Sequence, residues 1–157
     1  MILNAFTAFH VVLSLVGIGS GVVAIYGLLK AKTPDRWTQS FLATTAATSL
    51  TGFLFPFHGL TPAQVLGVLS LTVLIIASLS IYRYHLQAIW RRTYAITAVM
   101  ALYFNVFVLV VQLFRRVPAL STMAPTQSEP PFQIAQFAAL LLFSLSKALR
   151  AEEESVL

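Results

Sequence analysis

Apolar stretches of roughly 20 residues recur along the chain, separated by short segments that hold nearly all the charge and most of the proline. A helix rises about 1.5 Å per residue, so each stretch matches the hydrocarbon thickness of a bilayer. Five helices are expected, at about 3–29, 37–57, 61–84, 90–114 and 132–149. Lys30 to Arg36, with Pro34, ends the first. Thr61, Pro62 and Gln64 read as N-cap, N1 and N3 of the third. Paired arginines bracket the fourth, and the segment 117–131, with four prolines, reads as an extended loop. Gln133 and Gln136 shorten the apolar part of the fifth, which leaves four spans plus an interfacial C-terminal helix as the alternative.

Within the apolar stretches, small and polar residues recur at helical spacing. The stripes are His10, Ser14, Gly17, Gly21 and Ala24; Ser40, Thr44, Thr48 and Thr51; Ala63, Gly67, Ser70 and Ala77; Thr93, Thr97, Ala101, Asn105, Val108 and Gln112; and Gln133, Gln136, Leu140, Ser144 and Lys147. Helices in lipid associate through such faces, because lipid tails offer no hydrophobic drive for one apolar helix to prefer another. The stripes are therefore expected to face one another, in an all-α membrane bundle forming a single transmembrane domain over 1–157.

Composition agrees with this picture. Hydrophobic residues make up 58% and charged residues 10%, against about 25% charged in soluble domains. The net charge of +5 comes from basic residues at helix ends, without an aromatic-interleaved patch, so nucleic acid is not the implied partner. With the N-terminus outside, Lys30, Lys32, Arg36, Arg83, Arg91, Arg92, Lys147 and Arg150 all fall on the cytoplasmic side, and only Arg115 and Arg116 fall outside. Trp37 and Trp90 at the inner ends suit the interface. The start of the chain lacks the basic residues and cleavage site of a signal peptide. Without cysteine, disulfides and thiolate chemistry are excluded.

Candidate chemistry gathers toward the outer side. By helical rise His10 stands about 30 Å from Lys30 and His58 about 31 Å from Trp37, while Asn105 lies about 20 Å from Arg92, inside the bilayer. With Gln64, Gln112, Gln133, Arg115 and Arg116 they form a candidate ligand-binding set; His85, beside Arg83, reads as a headgroup-level residue. One reading is that these residues only satisfy one another's hydrogen bonds. A second is haem b or quinone, with His10 and His58 as axial ligands to the haem iron. A third is a path for a small solute, although no carboxylate lies within a span to couple a cation. A zinc site from His10, His58 and Glu129 lacks any metalloenzyme spacing, and no catalytic motif is present, which points away from an enzyme. A non-enzymatic subunit of a larger complex, or a homo-oligomer with a polar pocket between helices, is the expectation.

The runs 55–64 (FPFHGLTPAQ), 101–108 (ALYFNVFV) and 124–132 (APTQSEPPF) resemble a small family of polytopic bacterial inner-membrane proteins with no assigned activity. The resemblance implies a bacterial inner-membrane location and carries over no functional residue.

Overall fold

In the computed structural model, residues 5–30, 33–56, 59 and 62–155 are described, with only the helical backbone given for 142, 143 and 145–155. The described chain is all-helical: α1 Ala5–Leu29, α2 Arg36–Gly52, α3 Pro62–Tyr82, α4 Ile89–Arg116, α5 Pro118–Met123 and α6 Pro130–Ser155. It divides into two units, Met1–Asn105 and Val106–Leu157, with α4 running through the boundary.

Among the described residues three helices, not five, are long and apolar enough to cross a membrane: α1, α3 and α4. The second helix was expected to reach residue 57 and stops at Gly52. Pro56 disfavours helical geometry at the residue before it, and the chain leaves the helix in a turn in which Phe53 and Leu54 N–H groups still donate to Leu50 and Thr51 carbonyls, both at 3.1 Å. Its 17 residues span only about 25 Å. At the other end α2 starts one residue before expectation, because the Asp35 carboxylate caps it, accepting from Trp37 and Thr38 N–H at 3.1 Å each. The last helix is longer than the expected 132–149 and runs on through Lys147, Arg150 and Glu152 to Glu154, so charge enters its C-terminal turns. The segment 117–131 is not wholly extended: Pro118 opens the single-turn α5, where its missing N–H costs nothing. Thr61, the expected cap of α3, lies outside the described residues.

In the first unit, side-chain contacts give the helix directions. His10 meets Thr51, and Gly21 meets Phe41, so α1 and α2 are antiparallel. Ser49 bonds Ser70, and Phe53 covers Gly67, so α2 and α3 are antiparallel too. Ser14 and Gly17 face Asn105, and Gly21 faces Leu102, which runs α4 against α1. Up-and-down order is what successive membrane crossings produce.

The core lies where small residues allow close approach. A Cβ on Gly21 would stand 2.7 Å from the Phe41 ring and 2.9 Å from Leu102, and those two side chains are 0% and 2% exposed. Ala98 and Ala101 of α4 and Ala77 of α3 are fully buried. Polarity is inverted relative to a soluble protein: Ser20, Thr38, Thr45, Ser70, Ser80, Thr97 and Asn105 are buried, while Phe9, Val12, Leu15, Val68 and Ile75 are exposed. Such a surface suits lipid and not water. The chain is a helical membrane protein.

After α3 the chain turns through His85, Leu86 and Ala88 with φ of 48°, 55° and 46°, a conformation that costs non-glycine residues energy. Leu86 N–H donates to Ser80 O at 2.9 Å, and the Tyr84 and Trp90 rings stack across the connection at 3.7 Å. His85 is exposed.

Candidate functional site

The polar residues of α1 project from successive turns of one face. Near its N-terminal end His10 Nδ1 lies 2.8 Å from Thr51 Oγ1. The Thr51 hydrogen is directed at its own helix, toward Ala47 O at 2.7 Å. With its hydroxyl given to Ala47 O, Thr51 is placed to accept from an Nδ1–H imidazole, an arrangement that leaves Nε2 as an acceptor or ligand. The ring also meets Phe55 edge-on at 5.1 Å between centroids.

One turn further, Ser14 donates its hydroxyl to Asn105 Oδ1 at 2.8 Å, tying α1 to α4. Asn105 is 7% exposed, and its Nδ2 has no partner among the described residues. Thr45 Oγ1, on a residue 1% exposed, has none either. Both atoms converge on the bare Cα of Gly17: a Cβ there would meet Thr45 Oγ1 at 3.0 Å, Asn105 Nδ2 at 3.1 Å and Thr44 Oγ1 at 3.3 Å. Thr44, Thr48 and Thr51 each return their hydroxyl to the carbonyl four residues back, the usual resolution for a helix in lipid. Thr45 does not. Deeper still, Phe41 and Leu102 close over Gly21. The arrangement is a buried polar cluster around Gly17, between the His10–Thr51 contact and the apolar packing of Phe41 and Leu102 over Gly21.

The eight candidate residues do not form one described site. His10, Gln64 and Asn105 belong to the first unit; Gln112, Arg115, Arg116 and Gln133 belong to the second; His58 lies outside the described residues. Gln112 Oε1 accepts from Arg116 Nε at 3.2 Å on its own helix, and Gln133 Nε2 donates to Ser128 O at 2.8 Å. Arg115 is exposed. In the second unit Gln136 reaches Phe107 O at 3.4 Å and Gln127 reaches Val111 O at 3.3 Å, contacts that fasten α6 and the preceding loop to α4. Among the described residues no group of three metal-ligating side chains comes together.

Sequence reasoning placed His10, Ser14, Gly17 and Asn105 on packed faces and missed Thr45. The threonines of α2 fit either the stripe 40–44–48–51 or the stripe 38–41–45–48. The buried set Thr38, Phe41, Leu42, Thr45 and Thr48 shows that the second faces inward. Phe41, the one ring inside that run, was the available signal, since it fits only where a glycine makes room.

No protein-family model, curated protein or solved structure matches the chain. The buried polar cluster at Gly17 therefore has to carry the functional reading.

Proposed function

We propose that this is a small, non-enzymatic membrane protein, acting as a homo-oligomer or as a subunit of a larger membrane complex, that holds a small uncharged hydrogen-bonding molecule or ordered water at the α1–α2–α4 cluster. The observation that carries this reading is the pair of buried polar atoms without partners among the described residues, Thr45 Oγ1 and Asn105 Nδ2, facing one glycine. A buried polar group left unpaired in a membrane costs several kcal/mol by typical magnitudes, so such pairs mark places where something else binds. Donor N–H groups there favour an acceptor-bearing guest over a cation. The packing of Phe41 and Leu102 over Gly21 favours a closed site over a through-path for solute.

The same proposal takes five crossings of a bacterial inner membrane, with the N-terminus outside and the C-terminus cytoplasmic. The apolar turn at Phe53 to Phe55 then completes the crossing begun by α2, and the apolar N-terminal part of α6 supplies the fifth. Reporter fusions within 119–128 and after Leu157 should fall on opposite sides; both on one side would leave the four-span arrangement with an interfacial α6. Mass measurement in mild detergent should give an oligomer or a co-purifying protein, and a bare monomer would oppose that part. For the cluster, Thr45→Val and Asn105→Leu should each change the side-chain amide or methyl signals of the other in NMR spectra of the full chain. Spectra showing Asn105 Nδ2 bonded to a protein carbonyl would remove the reason for a guest.

A second reading, a haem b or quinone module, is favoured by one observation: His10 Nδ1 is engaged by Thr51 Oγ1 at 2.8 Å, so Nε2 is the atom offered to a ligand. An absorption spectrum of protein produced with ample haem tests it, since bis-imidazole haem has an intense Soret band. No Soret band ends the haem part.

A further inference from the structure

A groove of the first unit lies away from the polar cluster, between α2 and α3. It has a volume of about 540 Å³ and is walled by Leu42 and Ala46 on one side and Leu74, Ile75 and Ser78 on the other, with Arg83 at its mouth. The helices touch at Ser49–Ser70 and Phe53–Gly67, and the groove opens between them toward the opposite end. That end is the basic one. The antiparallel order brings the C-terminal ends of α1 and α3 beside the N-terminal ends of α2 and α4, and with them Lys30, Arg36, Arg83, Arg91 and Arg92. Across residues 1–105 the sequence holds one carboxylate, Asp35, and it is occupied in capping α2. Among the described residues Arg83 makes no ion pair. It is exposed and lies over the Tyr84 ring at 5.8 Å.

We infer that this groove is a phospholipid site selective for an anionic headgroup: one acyl chain lies along Leu42, Ala46, Leu74 and Ile75, and the phosphate meets Arg83. Volume and lining are those of a site for an amphipathic small molecule, which typically occupies 300 to 1,000 Å³ (roughly) behind a few placed polar groups. A guanidinium offers phosphate two parallel N–H donors, and basic pockets between spanning helices hold anionic headgroups at the interface. The inference rests on the membrane reading alone and is independent of the α1–α2–α4 cluster.

The test uses the full chain in detergent, with palmitoyl-oleoyl phosphatidylglycerol or the phosphatidylcholine with the same chains added in native mass spectrometry. Phosphatidylglycerol should be retained one per chain in preference to phosphatidylcholine, by roughly fivefold if Arg83 contributes as one basic residue near a membrane surface does. Arg83→Gln should abolish the preference, and Arg83→Lys should restore most of it. Ala46→Phe should lose both lipids by filling the groove; should that variant not fold, Ser78→Phe fills the opposite wall. The inference is overturned if the preference survives in Arg83→Gln, if the groove-filling variants keep the lipid, or if they instead convert an oligomer to a monomer, which would make a second copy of the chain the occupant.

Discussion

Ser14 and Asn105, 91 positions apart, share a 2.8 Å hydrogen bond from hydroxyl to amide oxygen, and this is the polar tie between α1 and α4. Removing either partner should destabilise the first unit, and removing both should cost less than the sum. A double-mutant cycle on Ser14→Ala and Asn105→Leu, read by unfolding in detergent, should give a coupling of about 0.6 kcal/mol and no more than about 1.7. A coupling of zero would mean that the bond does not form in the membrane protein.

Gly21 is expected to be the least replaceable glycine. Gly21→Ala drives a methyl into Phe41 and Leu102, neither of which has room to move, and overpacking of this kind typically costs about 1–3 kcal/mol. Gly19 and Gly27 have nothing within 4 Å of a built Cβ, so alanine there should be neutral or stabilise by up to about 1 kcal/mol through helix propensity. Thermal melts of the three variants should separate accordingly, and equal melting of all three would contradict the packing described.

The His10 tautomer is directly observable. Nitrogen-15 shifts of the neutral imidazole should show the proton on Nδ1 in the parent chain. Thr51→Val removes the acceptor and should shift the population toward Nε2–H, the form favoured by an isolated imidazole. An Nε2 proton in the parent chain would show that Thr51 is not the partner the geometry implies.

Glu129 gives a pH dependence outside the spans. Desolvation would raise the pKa of its carboxyl, but the Thr126 hydroxyl at 2.8 Å and the Thr126 and Ser128 N–H groups at 3.1 and 3.0 Å outweigh it and hold the pKa below the usual 4.5. The folded form thus binds its proton less readily than the unfolded chain does. The stabilisation is present in full above the unfolded value and disappears as pH falls through the lower, folded one. The Thr126 amide proton should therefore move upfield on acidification with a midpoint below 4.5, and Glu129→Gln should flatten that titration.

By itself the sequence determined that the chain is helical, that it belongs in lipid, and which face of α1 and of α4 packs. Each of these follows from short-range quantities: apolar run length, the 3.6-residue period, and charge confined to helix ends. It also marked His10 and Asn105 as polar groups needing partners. Which partner each one has was decided only by the tertiary structure. Ser14 and Asn105 meet across 91 positions, and no local pattern encodes such a pairing. Two threonine stripes of α2 were equally periodic, and the fit of Phe41 over Gly21 selected the one that turns Thr45 inward. Helix length, too, was overruled locally, when Pro56 and the turn at Phe53 ended α2 at Gly52 although the apolar run continued. Periodicity specifies which face of a helix is buried; shape complementarity between helices decides what that face touches.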